Sequence, residues 1–161
     1  MEHPFYYKLE DIHEKVFERT SLIARSKKVD GVVPEHLIFY RQHDTIFKDL
    51  FDNAASDIFD ALSGYSKSNH IPDNVEDEAY DERSWFINID MPDKFDTNQA
   101  GYINTEIKNA LINNIISAWL MLAGTEDGNI YEAYYTKNIS NILFKLSQRN
   151  KIIRRPFNSF P

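Results

Sequence analysis

DTNQAGYINTEIKNALINNIISAWLMLAGTEDG, residues 96–128, is the stretch on which the fold turns. Asp96 with Gln99 three residues on is a capping-box start. Behind it Ile103, Ile107, Leu111, Ile115, Ala118 and Leu122 recur at helical spacing. Ala110, Ile112, Ile116 and Trp119 widen that stripe to nearly half the circumference, which predicts burial on more than one side. The greasiest run, Ile115 to Ala123, is shorter than the roughly 20 residues a bilayer span needs. A five-residue turn, Gly124 to Gly128, then forces the next helix to lie antiparallel beside this one. That fourth helix carries its own capping-box pattern, Asn129 with Glu132, and a stripe of Tyr131, Tyr135, Ile139, Ile142, Leu143 and Leu146.

Working back along the chain, Trp85, Ile87, Ile89 and Met91 alternate with Phe86, Asn88 and Asp90, the period-two mark of a strand over residues 84–91. A lone strand leaves backbone groups unpaired, so it needs either Val29 to Val33 or an edge on a neighbouring subunit. Leu9, Ile12, Val16, Phe17 and Ile23 predict a first helix from Lys8 to Ser26, ended by Lys27 to Gly31, where Gly31 is free to take positive φ. Pro34 suits the first turn of a long second helix reaching Tyr65, with Ile46, Phe47, Leu50, Phe51, Ala54, Ile58, Ala61 and Leu62 on its apolar side. Between Ser66 and Glu82 periodicity fails, and Asp73, Glu76, Asp77, Glu78, Asp81 and Glu82 crowd into an acidic loop. The expected fold is mainly α: a four-helix-bundle-like domain over residues 1–150 with one short strand, the acidic loop 66–82, and an extended C-terminal tail, 151–161.

Composition narrows the function classes. The 161 residues, 42% hydrophobic and with 11 Phe, 9 Tyr and 2 Trp, are ample for one core. No cysteine is present, which removes disulfides, thiolate metal sites and cysteine nucleophiles. A formal charge of −7 argues against a general nucleic-acid binder, which gains affinity by neutralising phosphates, but suits a protein past which DNA slides. Met1 to Phe5 has neither the basic nor the apolar region of a secretion signal, and no membrane partner is expected.

Candidate chemistry is thin. His13-Glu14 shares the start of a zinc-protease motif, but position 17 is Phe, so the second ligand is missing and a surface helix is the expected setting. His36 and His43 lie seven residues apart, too far to share one ion at the usual helical spacing, and polar packing or exposure is expected of them. The acidic loop lacks calcium-loop spacing. Ser117, inside the apolar run, is expected to bond back to its own helix. No catalytic, cofactor-binding or metal residue is assigned, and no cofactor. The suggestive element is the tail. Lys145, Arg149 and Lys151 complement the negative end of helix four, whereas Arg154, Arg155, Pro156, Phe157 and Phe160 lie beyond it. Pro156 biases Arg155 towards extended backbone, and a strand carrying Arg and Phe anchors is a common way to grip a neighbour.

Taken together, the order is two helices, a strand closing in Met91-Pro92-x-x-Phe95-Asp96, a helix ending Ala118-Trp119-Leu120, a tight turn, a Tyr-rich helix and an Arg154-Arg155-Pro156 tail. This layout resembles the small helical head–tail connector (adaptor, or neck-ring) proteins of tailed bacteriophages, particularly phage-like genes of gut Bacteroidetes. The resemblance spans most of the chain and rests on short motifs. It implies a non-enzymatic virion subunit, assembled in the host cytoplasm as a homo-oligomeric, dodecameric ring beneath the portal. The helices would line a channel through which double-stranded DNA passes without sequence-specific binding. The tail, with Arg154, Arg155, Pro156 and Phe157, would reach to the portal or adjacent neck and tail proteins. The strand, with Trp85, Ile87, Ile89 and Met91, would pair between subunits. The acidic loop has no place in that pattern. A competing reading is a small acidic, soluble interaction or regulatory module that binds a host protein. An enzyme built on His43 and nearby carboxylates has no supporting motif.

Overall fold

The computed structural model describes residues 1–70, 84–92 and 95–148. The chain begins with strand β1 (Glu2–Lys8) and passes directly into helix α1 (Leu9–Ser26). Two 3₁₀ turns (Glu35–Leu37, Arg41–His43) lead into α2 (Asp44–Ala61). Strands β2 (Ser66–His70) and β3 (Ser84–Asp90) follow, then a 3₁₀ turn (Thr97–Gln99), α3 (Ala100–Leu122) and α4 (Gly128–Ser147). The protein is therefore mainly helical, with four helices and a small antiparallel sheet ordered β1-β3-β2.

The sheet corrects the expectation of a lone strand. β1 pairs with β3 along its whole length, Glu2 opposite Asp90 through Lys8 opposite Ser84. β2 pairs on the other side with an irregularity between Ser66 and Ser68, so the first residues of the expected acidic loop are strand. Residues 71–82 of that loop lie outside the described residues. Val29 is not available to β3, because it exchanges hydrogen bonds with Val32 (3.1 and 2.9 Å). Asp30 and Gly31 between them both have positive φ (50° and 81°), the two-residue turn that an Asp-Gly pair favours.

One face of the sheet is apolar, as the period-two pattern requires: Phe5 and Tyr7 from β1 and Trp85, Ile87 and Ile89 from β3 are buried. They join a continuous core with Ile12 and Val16 of α1, Phe47, Phe51 and Ile58 of α2, and Ile103, Ile107, Leu111 and Ile115 of α3. α3 is the helix on which α1, α2 and α4 each pack, and this explains its wide apolar arc.

The expected second helix is shortened at its start, and tertiary bonds give the reason. Phe39 donates its N–H to Thr20 Oγ1 (3.0 Å), and the Leu37 carbonyl accepts from Trp119 Nε1 (2.9 Å). Backbone groups used in this way are not free for i→i+4 bonds, and Leu37 and Phe39 bury their side chains instead. At the α3 start, Asp96 accepts from the Asn98 N–H (3.0 Å) and opens the 3₁₀ turn, a shorter cap than the expected box. At α4 the expected cap is wrong: Asn129 lies inside the helix, which begins at Gly128. Thr125 Oγ1 instead bonds the Asp127 N–H (3.3 Å) and carboxylate (3.2 Å).

Candidate interaction surface

Trp85, Ile87, Ile89 and Met91, expected to form a strand shared between subunits, are between 0 and 2% exposed and belong to the chain's own core. β3 is the central strand, so intramolecular pairing has taken the edges that a neighbour would need. The tail residues Arg154, Arg155, Pro156, Phe157 and Phe160 lie outside the described residues.

The histidines separate. His36 is exposed. His13, expected at the surface, is 2% exposed and stacks face to face on Phe47, with ring centroids 4.3 Å apart. His43 is half-buried against Trp119 and Phe39 (5.4 and 5.7 Å). These rings form an aromatic joint linking α1, the segment before α2, and α3. Among the described residues no three His, Asp or Glu side chains gather as a metal site would need.

Two polar features join the α3–α4 hairpin to the body. Arg19 donates to Asn113 Oδ1 (3.2 Å), Asn113 donates to Asn138 Oδ1 (2.8 Å), and Asn138 and Asn141 both donate to Glu106 Oε2 (2.9 and 3.1 Å). Asn113 is 6% exposed, and this ladder supplies its partners. At the other end Ser117 donates to the Gly128 carbonyl across the hairpin (2.8 Å), not to its own helix as expected. A Cβ on Gly128 would stand 2.8 Å from Met121 Cγ and 2.9 Å from the Ser117 carbonyl oxygen, so only glycine permits this approach. Lys27 pairs with Asp127, and that hydrogen bond holds the Asp127 carboxyl below its ordinary range despite partial burial.

A cleft of about 200 Å³ between α2, α3 and α4 holds Asp57, Asn114 and Tyr135. Burial first, then the nearby Asp57 and Asp60 charges, push the Tyr135 hydroxyl up to about 12. The phenol is therefore protonated at neutral pH and unsuited to act as a base.

Among the described residues two exposed surfaces stand out. The first is the outer side of the hairpin: Ile130, Tyr134 and Phe144 of α4 are 49, 50 and 62% exposed, and Met121 and Leu122 at the end of α3 are exposed beside the turn. The second is the outer edge of β1. Met91 donates its N–H to the Met1 carbonyl (2.8 Å), which fixes the odd residues of β1 as those bonded to β3. Glu2, Pro4 and Tyr6 therefore turn their backbone groups outward. Pro4 sits where its missing N–H would face away from the sheet, the position edge strands tolerate.

The chain matches no family model, and neither a curated protein nor a solved structure is significantly similar to it.

Proposed function

We propose that this chain is a structural subunit of a tailed-phage head–tail connector, one copy of a homo-oligomeric ring that joins the portal to the neck or tail and surrounds passing double-stranded DNA. The four helices and the sheet form the bundle-like body of the subunit. Residues 151–161, with Arg154, Arg155, Pro156, Phe157 and Phe160, hold a neighbour.

The observation that carries the reading is the one-sided packing of α4. Of its 20 residues, Gly128, Ile142 and Leu146 are buried, while Ile130 and Tyr134 face outward near the hairpin turn and Phe144 faces outward near the far end of the helix. Apolar side chains grouped on one outer helix mark a surface that meets protein. A ring gives each subunit two neighbours and so two faces to cover. The formal charge of −7 fits a channel that lets phosphates pass without holding them.

Co-expression with a portal protein encoded beside this chain tests the proposal. The expected result is a co-purifying ring complex that fails to form when residues 151–161 are removed. A soluble monomer that ignores portal protein and captures a basic host factor would establish the interaction-module reading in its place.

A further inference from the structure

We propose that the open edge of β1 is the seat for residues 151–155 of a second copy, laid beside it as a fourth strand; this rests on the reading of the chain as a self-assembling subunit.

The edge calls for a strand. Among the described residues no backbone partner takes the outward groups of Glu2, Pro4 and Tyr6. Exposed edges of this kind are templates for strand addition, in which main-chain bonds supply affinity and side-chain pockets supply selectivity. Pockets are present. On the inner side of the edge, a cavity of about 320 Å³ is lined by His3, Phe5, Ala100 and Gly101. The small residues Ala100 and Gly101 make room there, and a Cβ on Gly101 would meet nothing within 4 Å. A second cavity of about 300 Å³ shares Tyr6 and Asn104 with the first and continues to Lys8, Asp11 and Lys108. The groove thus follows β1 from His3 to Lys8, apolar at one end and polar at the other.

The occupant is set by where α4 leaves off. α4 runs antiparallel to α3 and ends at its first turns, where Lys145 Nζ lies 5.1 Å from the centre of the Tyr102 ring, next to Gly101. Lys151 to Arg155 is a five-residue run, the usual length of a strand, and Pro156 stops further pairing. Ile152-Ile153-Arg154-Arg155 presents an isoleucine to the apolar cavity in either register, because adjacent residues of a strand point to opposite sides. Charge assists at longer range. Residues 149–161 contain Arg149, Lys151, Arg154 and Arg155 and no acid, leaving 14 basic against 25 acidic residues, a formal −11, in residues 1–148.

Direction favours a second copy over the chain's own groove. α4 heads past the first turn of α3, whereas the groove runs back from Ala100 towards Lys108. To enter its own groove the chain would have to reverse within Arg149 and Asn150. A neighbour receives the segment without reversal.

The absence of native cysteine makes a direct test available. Full-length Gly101→Cys is mixed with full-length Ile152→Cys or Ile153→Cys and oxidised. A disulfide-linked pair of chains is expected with one of the two partners. Tyr6→Pro, which removes an outward N–H, should cut its yield at least tenfold. Leu22→Ala, at an exposed position of α1 outside the groove, should leave the yield within about twofold. Circular dichroism on each variant confirms the fold. A disulfide closing within single chains of a double variant, with none in the mixture, overturns the proposal in favour of the chain's own groove. No disulfide from chains that still assemble by mass overturns it while leaving the ring reading intact. Chains that stay monomeric overturn both.

Discussion

α3 and α4 are neighbours of similar length, 23 and 20 residues, and they are packed in opposite ways. Ten residues of α3 are buried, spread around the helix, because α1, α2 and α4 all rest on it. Three residues of α4 are buried, on the side that meets α3. A helix enclosed by its own chain has its composition dictated by packing. A helix packed on one side is free to be polar elsewhere, and α4 carries Ile130, Tyr134 and Phe144 there instead. The contrast assigns stability to α3 and the sheet, and it is the basis on which association is proposed for α4 and the β1 edge.

The contrast is sharpened first by Trp85→Ala, which removes the largest fully buried side chain from the sheet face. A loss of about 3–5 kcal/mol in chemical denaturation is expected, enough to leave a marginal domain largely unfolded. Gly128→Ala attacks the hairpin joint: its Cβ meets the Ser117 carbonyl backbone, which has little room to yield. A loss of about 1–3 kcal/mol is expected in the same assay. Asn113→Ala removes an acceptor of Arg19 and the donor to Asn138 Oδ1 and should cost a similar ~1–3 kcal/mol. A double-mutant cycle with Asn138→Ala should show the two losses overlapping. On the outer side, Tyr134→Ser and Phe144→Ser should alter stability by no more than about 0.5 kcal/mol while weakening self-association, read by sedimentation. Core-sized destabilisation from either would erase the distinction between the two helices.

The smallest effect is at the surface pair. Asp127 has its pKa lowered by Lys27, so the pair's stabilisation is present above the ordinary carboxylate range and is lost as pH falls through the depressed folded value. Lys27→Met should therefore cost at most about 1 kcal/mol at neutral pH, and the difference from the parent should vanish on acidification. A difference that persists unchanged at low pH would point to packing by the Lys27 stem instead.

The sequence was most readable where one pattern dominated. α1, α3 and α4 and the strand from Ser84 follow from the spacing of their apolar residues, and the breadth of the α3 stripe announced burial on several sides. β1 was missed although Phe5 and Tyr7 alternate with Tyr6 and Lys8, because Pro4 interrupts the run and an edge strand is where Pro is allowed. The false start of the second helix came from Pro34, a fair local signal overridden by the remote partners Thr20 and Trp119. Ser117 and Gly128 could not be paired from sequence, since they meet only across the closed hairpin. Of the expected interaction residues, those in β3 proved to be core because their alternation is equally what a central strand requires.

Self-association is the property that a ring subunit must have, and the mass of the intact chain in native solution measures it directly. Assemblies well above the 18.9 kDa of one chain, shrinking when Tyr134 and Phe144 become serine, are the predicted result. A species that stays at one chain's mass across the micromolar range, with or without those substitutions, contradicts it.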